Sequence, residues 1–191
     1  MATTKEKIIE AVALTLNENF NYDELSMSAI AEKVGIGKST IYEYFESKSD
    51  LLVETIKGIV DLYIKQILEH DLTNLNFHDA FTTQILDMIN CGFNKRVTLK
   101  IFTQLDFVLK VKEQEIKEKI EEGKKEILAR FSEIFNKGLA EKVINYTYDV
   151  RVETLVGGII SAMICQQMNE PVGTNEELAE YLYGVLVKVL N

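Results

Sequence analysis

The chain is poor in residues that interrupt or staple a backbone. It has one proline, Pro171, and ten glycines in 191 residues. Long stretches therefore run without a breaker, which favours helices over a turn-rich β architecture. Two cysteines, Cys91 and Cys165, are too few for a disulfide framework, and with His70 and His78 they form no metal-ligand spacing. They read as reduced core residues of a cytoplasmic protein. No apolar run reaches the roughly 18–20 residues that cross a bilayer. The N-terminus lacks the charged-then-apolar profile of an export signal. No set of nucleophile, base and orienting group is legible, so neither an enzyme nor a cofactor is expected.

Positive charge is scarce as well. The chain carries 21 Lys and Arg against 30 Asp and Glu, a net charge of −9. The first fifty residues hold five lysines and nine carboxylates. A strong electrostatic grip on nucleic acid needs a basic face, and none is visible. What the chain does have is a hydrophobic content of 47%, enough for a globular core.

Apolar periodicity predicts about nine helices and no sheet: an all-α fold. Thr3 with Glu6 reads as a capping box opening a first helix, with Ile8, Val12 and Leu16 recurring at helical spacing and an exit loop over 17–23. Ser26 caps a second helix whose Met27, Ile30, Ala31 and Val34 face inward, and Gly35 supplies the turn. Ser47 and Asp50 open a long helix to about Leu68, and Asn76 caps one over 77–91. A shorter helix is expected over 97–107, then a charged one over 110–137 with four-apart pairs such as Glu115–Lys119, ending near Gly138. The last two helices span about 150–168 and 175–190, with Thr174 and Glu177 as another capping box.

The run Ile36 to Phe45 holds the most information. A short amphipathic helix, a glycine turn and a second short helix make a helix-turn-helix, the unit that lays one helix in the DNA major groove. Its second helix carries Lys38, the hydroxyls of Ser39 and Thr40, and two tyrosines, Tyr42 and Tyr44. Roughly 200° separates the two tyrosines, so one face cannot bury both, whereas Ile41 and Phe45, four apart, form a buried side. Gly37-Lys38-Ser39 does not complete a phosphate-binding loop: position 32 is Glu and no strand precedes it.

Thr40-Ile41-Tyr42-Glu43-Tyr44-Phe45 followed by Ser47-Lys48-Ser49-Asp50-Leu51-Leu52 resembles the TetR family of ligand-responsive transcriptional regulators over residues 4–52. The resemblance implies a helix-turn-helix DNA-binding domain over 1–47 and a helical ligand-binding and dimerisation domain over 48–191. It implies that Tyr42 and Tyr44 contact phosphates, Thr40 phosphate or base, Lys38 and its neighbour Ser39 the operator, and Lys48 and Ser28 the DNA backbone. It further implies a homodimer, most readily a repressor of a near-palindromic operator, released when a small molecule shifts the helix over 48–68. An apolar inducer pocket would draw on Phe81, Ile85, Met88, Phe102 and Phe107. A dimer seam would use the small strip Gly157, Gly158, Ser161, Ala162 and Cys165 with Leu182 and Leu186 opposite. The small strip also reads as ordinary intrachain packing. The rival expectation, motivated by the acidic head, is a helical dimeric interaction protein without specific DNA binding.

Overall fold

A computed structural model describes residues 3–19, 25–91, 106–145 and 150–191. Among these residues there are eight helices and no strand: α1 Thr4–Asn19, α2 Met27–Val34, α3 Lys38–Tyr44, α4 Lys48–Ile67, α5 Phe77–Asn90, α6 Asp106–Ala140, α7 Val150–Asn169 and α8 Asn175–Val189. The count falls one short of the nine expected. Most of the helix expected over 97–107 lies outside the described residues, and from Asp106 the chain is already in α6. No glycine or proline separates Asp106 from the charged segment, so nothing stops the helix where a break was expected. Among the described residues no helix is long and apolar enough to cross a membrane.

Local chemistry sets most of the helix starts. Thr3 and Glu6 exchange hydrogen bonds, the Thr3 amide donating to Glu6 Oε2 at 2.6 Å and the Glu6 amide to Thr3 Oγ1 at 3.2 Å. The Asp79 amide donates to the Asn76 side chain at 2.9 Å, and the Thr174–Glu177 box is complete. At the start of α4 the Asp50 amide donates to Ser47 Oγ at 3.1 Å, while the Asp50 carboxylate accepts from the Glu46 amide. Each cap satisfies amides that the first helical turn leaves open.

The chain falls into two compact units, residues 1–62 with 93–123 and residues 63–92 with 124–191. In the first, Ile8 and Val12 of α1, Met27, Ile30 and Ala31 of α2, Ile41, Phe45, and Leu51, Leu52 and Ile56 of α4 form one core, joined by Ile116 of α6. Ion pairs reinforce it. Lys5 reaches Glu54 at 2.9 Å, and Lys57 reaches both Glu54 at 3.2 Å and Glu115 at 2.8 Å. The expected Glu115–Lys119 pair along α6 is replaced by contacts to α4, because Lys119 turns to Asp61. Lys5 holds the Glu54 carboxyl below its ordinary range, and Glu115 raises the Lys57 ammonium.

The second unit is built on Phe77, Phe81 and Ile85 of α5, Ile134 of α6, Ile160 and Ile164 of α7, and Leu178, Leu182 and Leu186 of α8. Gly138 was expected to end α6, yet the helix continues to Ala140. Gly138 is buried under the Phe77 ring, and a Cβ there would lie 3.0 Å from two ring carbons and from Ile144 Cγ1. The glycine is thus explained by close helix approach rather than by termination.

Candidate nucleic-acid interface and ligand cavity

Helix α3 is short and is presented by its neighbours. Gly35 adopts φ +76°, a left-handed conformation that glycine takes without strain, and the Ile36 amide closes the turn onto Ala31 O at 2.9 Å. Gly37 then starts α3 with no side-chain cap. Ile41 and Phe45 are fully buried against α1, α2 and α4, which fixes the roll of α3 about its axis. That roll leaves Tyr42 and Tyr44 exposed at 47% and 42%. Lys38, Ser39 and Glu43 are exposed beside them, Thr40 is half-buried, and Ser28 is exposed on α2. Lys48 is half-buried in the first turn of α4. The surface therefore offers hydroxyls, phenols and ammonium groups, the donors that meet phosphate oxygens and base edges.

The lysines of the first unit are not all available to a polyanion. Lys5 and Lys57 are spent on Glu54 and Glu115, and Lys33 donates to Thr15 Oγ1 at 3.4 Å.

This arrangement has known relatives. Residues 8–55 match the family model for bacterial regulatory proteins of the tetR family. The match spans about a quarter of the chain, the stretch that holds α2 and α3. The chain is 38% identical over 56 residues, 29% of this chain and 30% of the other, to an HTH-type transcriptional regulator of Staphylococcus aureus strain USA300. It is 26% identical over 166 residues, 86% of this chain and 84% of the other, to the fatty acid metabolism regulator protein of Bacillus subtilis strain 168. The same fold is seen in the crystal structure of the transcriptional regulator FadR from Bacillus subtilis in complex with stearoyl-CoA, with a TM-score of 0.65, 22% identity and coverage of 97% of this chain and 98% of that one.

The second unit contains an apolar cavity of about 500 Å³ between α5, α6 and α7. Met88, Phe131, Phe135, Val156 and Ile160 line it, with the hydroxyls of Ser132 and Ser161. Of the five residues expected at a pocket, Met88 lines this cavity. Phe81 and Ile85 do not: each is 0% exposed within the core, Phe81 with its ring centroid 6.4 Å from that of Phe131. Phe102 and the side chain of Phe107 lie outside the described residues. Phe131, Phe135 and Ile160, missed as lining from sequence, carry the same signal as any core residue.

The expected dimer strip divides. Gly157, Gly158, Ser161 and Ala162 are all exposed, Gly157 and Ser161 also line the cavity, and Cys165 is half-buried. Leu182 and Leu186 are 1% and 2% exposed inside the core of their own unit, which removes them from any exposed seam. Tyr181 and Val189 are the exposed large apolar residues of α8.

One more set of contacts was not foreseen. The C-terminal end of α4 is gripped by side chains from α5 and α6. Gln84 Nε2 donates to Ile67 O at 2.8 Å, Arg130 Nη2 to Leu68 O at 3.1 Å and Arg130 Nη1 to His70 O at 2.9 Å. The His70 ring meets Asp87 at 2.7 Å, and Lys137 Nζ donates to Thr73 O and Leu75 O. Burial raises the Asp87 carboxyl above its ordinary range, with His70 opposing. Gln84 and Asp87 stand within a turn of Met88, and Arg130 stands between Ala129 and Phe131, all three of which line the cavity.

Proposed function

We propose that the chain is a cytoplasmic, ligand-responsive transcriptional repressor that binds a near-palindromic operator as a homodimer. Residues 1–47 dock on DNA, and residues 48–191 hold the effector and the partner chain. The observation that carries the reading is the exposed pair Tyr42 and Tyr44 on a helix whose Ile41 and Phe45 are locked into the core, within the segment that matches the family model. Lys38, Ser39 and Thr40 approach base edges and phosphate, while Tyr42, Tyr44, Lys48 and Ser28 hold the backbone. Two copies of α3 then enter successive major grooves about 34–36 Å apart. Exposed Gly158 and Ala162 on α7 and Tyr181 on α8 support a helix–helix seam between copies. The regulator identity of the relatives supports a non-catalytic role.

The apolar cavity is the effector site, supported by its volume within the range of about 300–1,000 Å³ usual for ligand pockets. The stearoyl chain of the ligand bound to the Bacillus subtilis neighbour supports an effector with an apolar part. An occupant displaces Phe131 and Met88, moves Arg130 and Gln84, and releases the end of α4, the helix that begins three residues after Phe45. Such coupling amounts to about 1–3 kcal/mol and is reciprocal: operator DNA weakens the effector by the same factor.

Selection of bound duplexes from a random pool, repeated with Tyr42→Ala, tests the reading. A palindromic consensus bound at least tenfold more weakly by the variant, with fold and oligomeric state unchanged, is expected. The acidic head favours one alternative, a helical interaction protein; recovery of no consensus at low salt would establish that instead.

A further inference from the structure

Two cavities lie beside α6, and among the described residues its charged side chains line only one of them. One face of the helix carries Glu126, Arg130, Glu133 and Lys137, which line a polar cavity of about 540 Å³ with Glu69, His70 and Asp71. The other presents Ile127, Leu128, Phe131, Ser132 and Phe135 to the apolar cavity. Among the described residues, no Asp, Glu, Lys, Arg or His lines the apolar cavity; Ser132 and Ser161 are its only polar side chains. We propose that this cavity takes a compact, uncharged, preferably aromatic molecule bearing a single hydrogen-bonding group, an assignment that rests on the effector reading above.

Three physical points carry it. An ionised group moved out of water without a partner is strongly disfavoured, and among the described residues the lining supplies no counter-charge. The surrounding unit holds eight basic and thirteen acidic residues, so its field adds a penalty for anions. For a cation the acids of α6 are on the wrong face: Glu126 and Glu133 line the polar cavity. The rings of Phe131 and Phe135, with centroids 6.1 Å apart at 52°, offer an edge and a face to a flat apolar guest. A serine hydroxyl donates or accepts with equal ease, which suits an alcohol, a phenol or a carbonyl.

The test uses the full-length protein and three probes with one ring system: 1-naphthol, 1-naphthoate and 1-naphthylmethylammonium, titrated calorimetrically at neutral pH. Naphthol is expected to bind at least tenfold more tightly than either ion. Gly157→Leu provides the site control: a Cβ at Gly157 meets nothing within 4 Å, so the fold tolerates a side chain that fills the cavity. That variant should melt as the parent does and lose naphthol binding at least tenfold. Naphthoate or the ammonium binding as tightly as naphthol, binding of none of the three, or full naphthol affinity in Gly157→Leu overturns the assignment. Operator affinity measured alongside separates the two readings. Naphthol preference with operator affinity unchanged supports the uncharged-guest assignment while counting against the effector role.

Discussion

The side-chain amide of Gln84 donates to the main-chain carbonyl of Ile67 at 2.8 Å, the last residue of the helix that starts just beyond α3. Gln84 is 1% exposed, so its bond is made where water cannot compete. Arg130 takes the next carbonyl and that of His70. Positive charge at a helix C-terminus also complements the helix dipole. Replacing Arg130 by alanine should cost about 2 kcal/mol, since two bonds from a charged donor are lost. Amide exchange over residues 64–72 should accelerate, and operator affinity should shift. Unchanged exchange in that segment would mean the grip is not holding α4.

Few lysines lie on or beside α3, and the proposed DNA contact then has a measurable signature. If Lys38 and Lys48 each meet one phosphate, the logarithm of affinity should fall with the logarithm of salt concentration with a slope of about −2. Glu43, exposed between the two tyrosines, should repel phosphate. Glu43→Lys is expected to raise affinity for unrelated DNA and to steepen the slope by about one. Titrations at several salt concentrations give both numbers.

His78 joins α5 to α8, its Nδ1 2.9 Å from Asp79 and its Nε2 2.9 Å from Glu180. Asp79 first and Glu180 second raise its folded pKa above the ordinary value. The folded state thus holds the proton more tightly than the unfolded chain. Its contribution to stability is complete below the unfolded pKa of about 6.5 and is lost as pH climbs through the raised folded value. Thermal midpoints should therefore decline from pH 6 toward pH 8, and His78→Gln should flatten that decline. A parent and variant with parallel profiles would exclude His78 as the cause.

Gly138→Ala sets helix propensity against packing. Alanine in a helix interior gains about 1 kcal/mol over glycine. The added methyl would press on the ring of Phe77, which is 0% exposed and closely surrounded. Overpacking of this kind costs about 1–3 kcal/mol. A net loss of about 1 kcal/mol is expected, visible as a thermal midpoint a few degrees lower. A rise in the midpoint would show that Phe77 can give way.

How much was legible in advance follows from the range of each interaction. Caps at Thr3, Ser26, Asn76 and Thr174 involve groups three residues apart, so the string of letters contains them whole. The opposite fates of Ile41 and Tyr42 follow from helical spacing on a segment with only one apolar side. Leu182 shows where this ends: an apolar stripe announces that it will be buried, not whether its cover is the same chain or another. Phe81 and Phe131 illustrate the same ambiguity for a cavity, since a residue lining a void and one filling a core have identical composition. The Arg130 grip was invisible because its acceptors are main-chain carbonyls about sixty residues away, and carbonyls have no letter.

The bend between α7 and α8 is cross-braced by a single buried side chain. Gln167 donates to Gly173 O at 3.1 Å and to Asn175 Oδ1 at 3.2 Å, and accepts from the Val172 amide at 3.0 Å. A corner so tied has no slack, and the two helices it joins behave as one stiff elbow. Whatever nudges Val156 or Ile160 will swing α8 along with α7 rather than be absorbed at the joint.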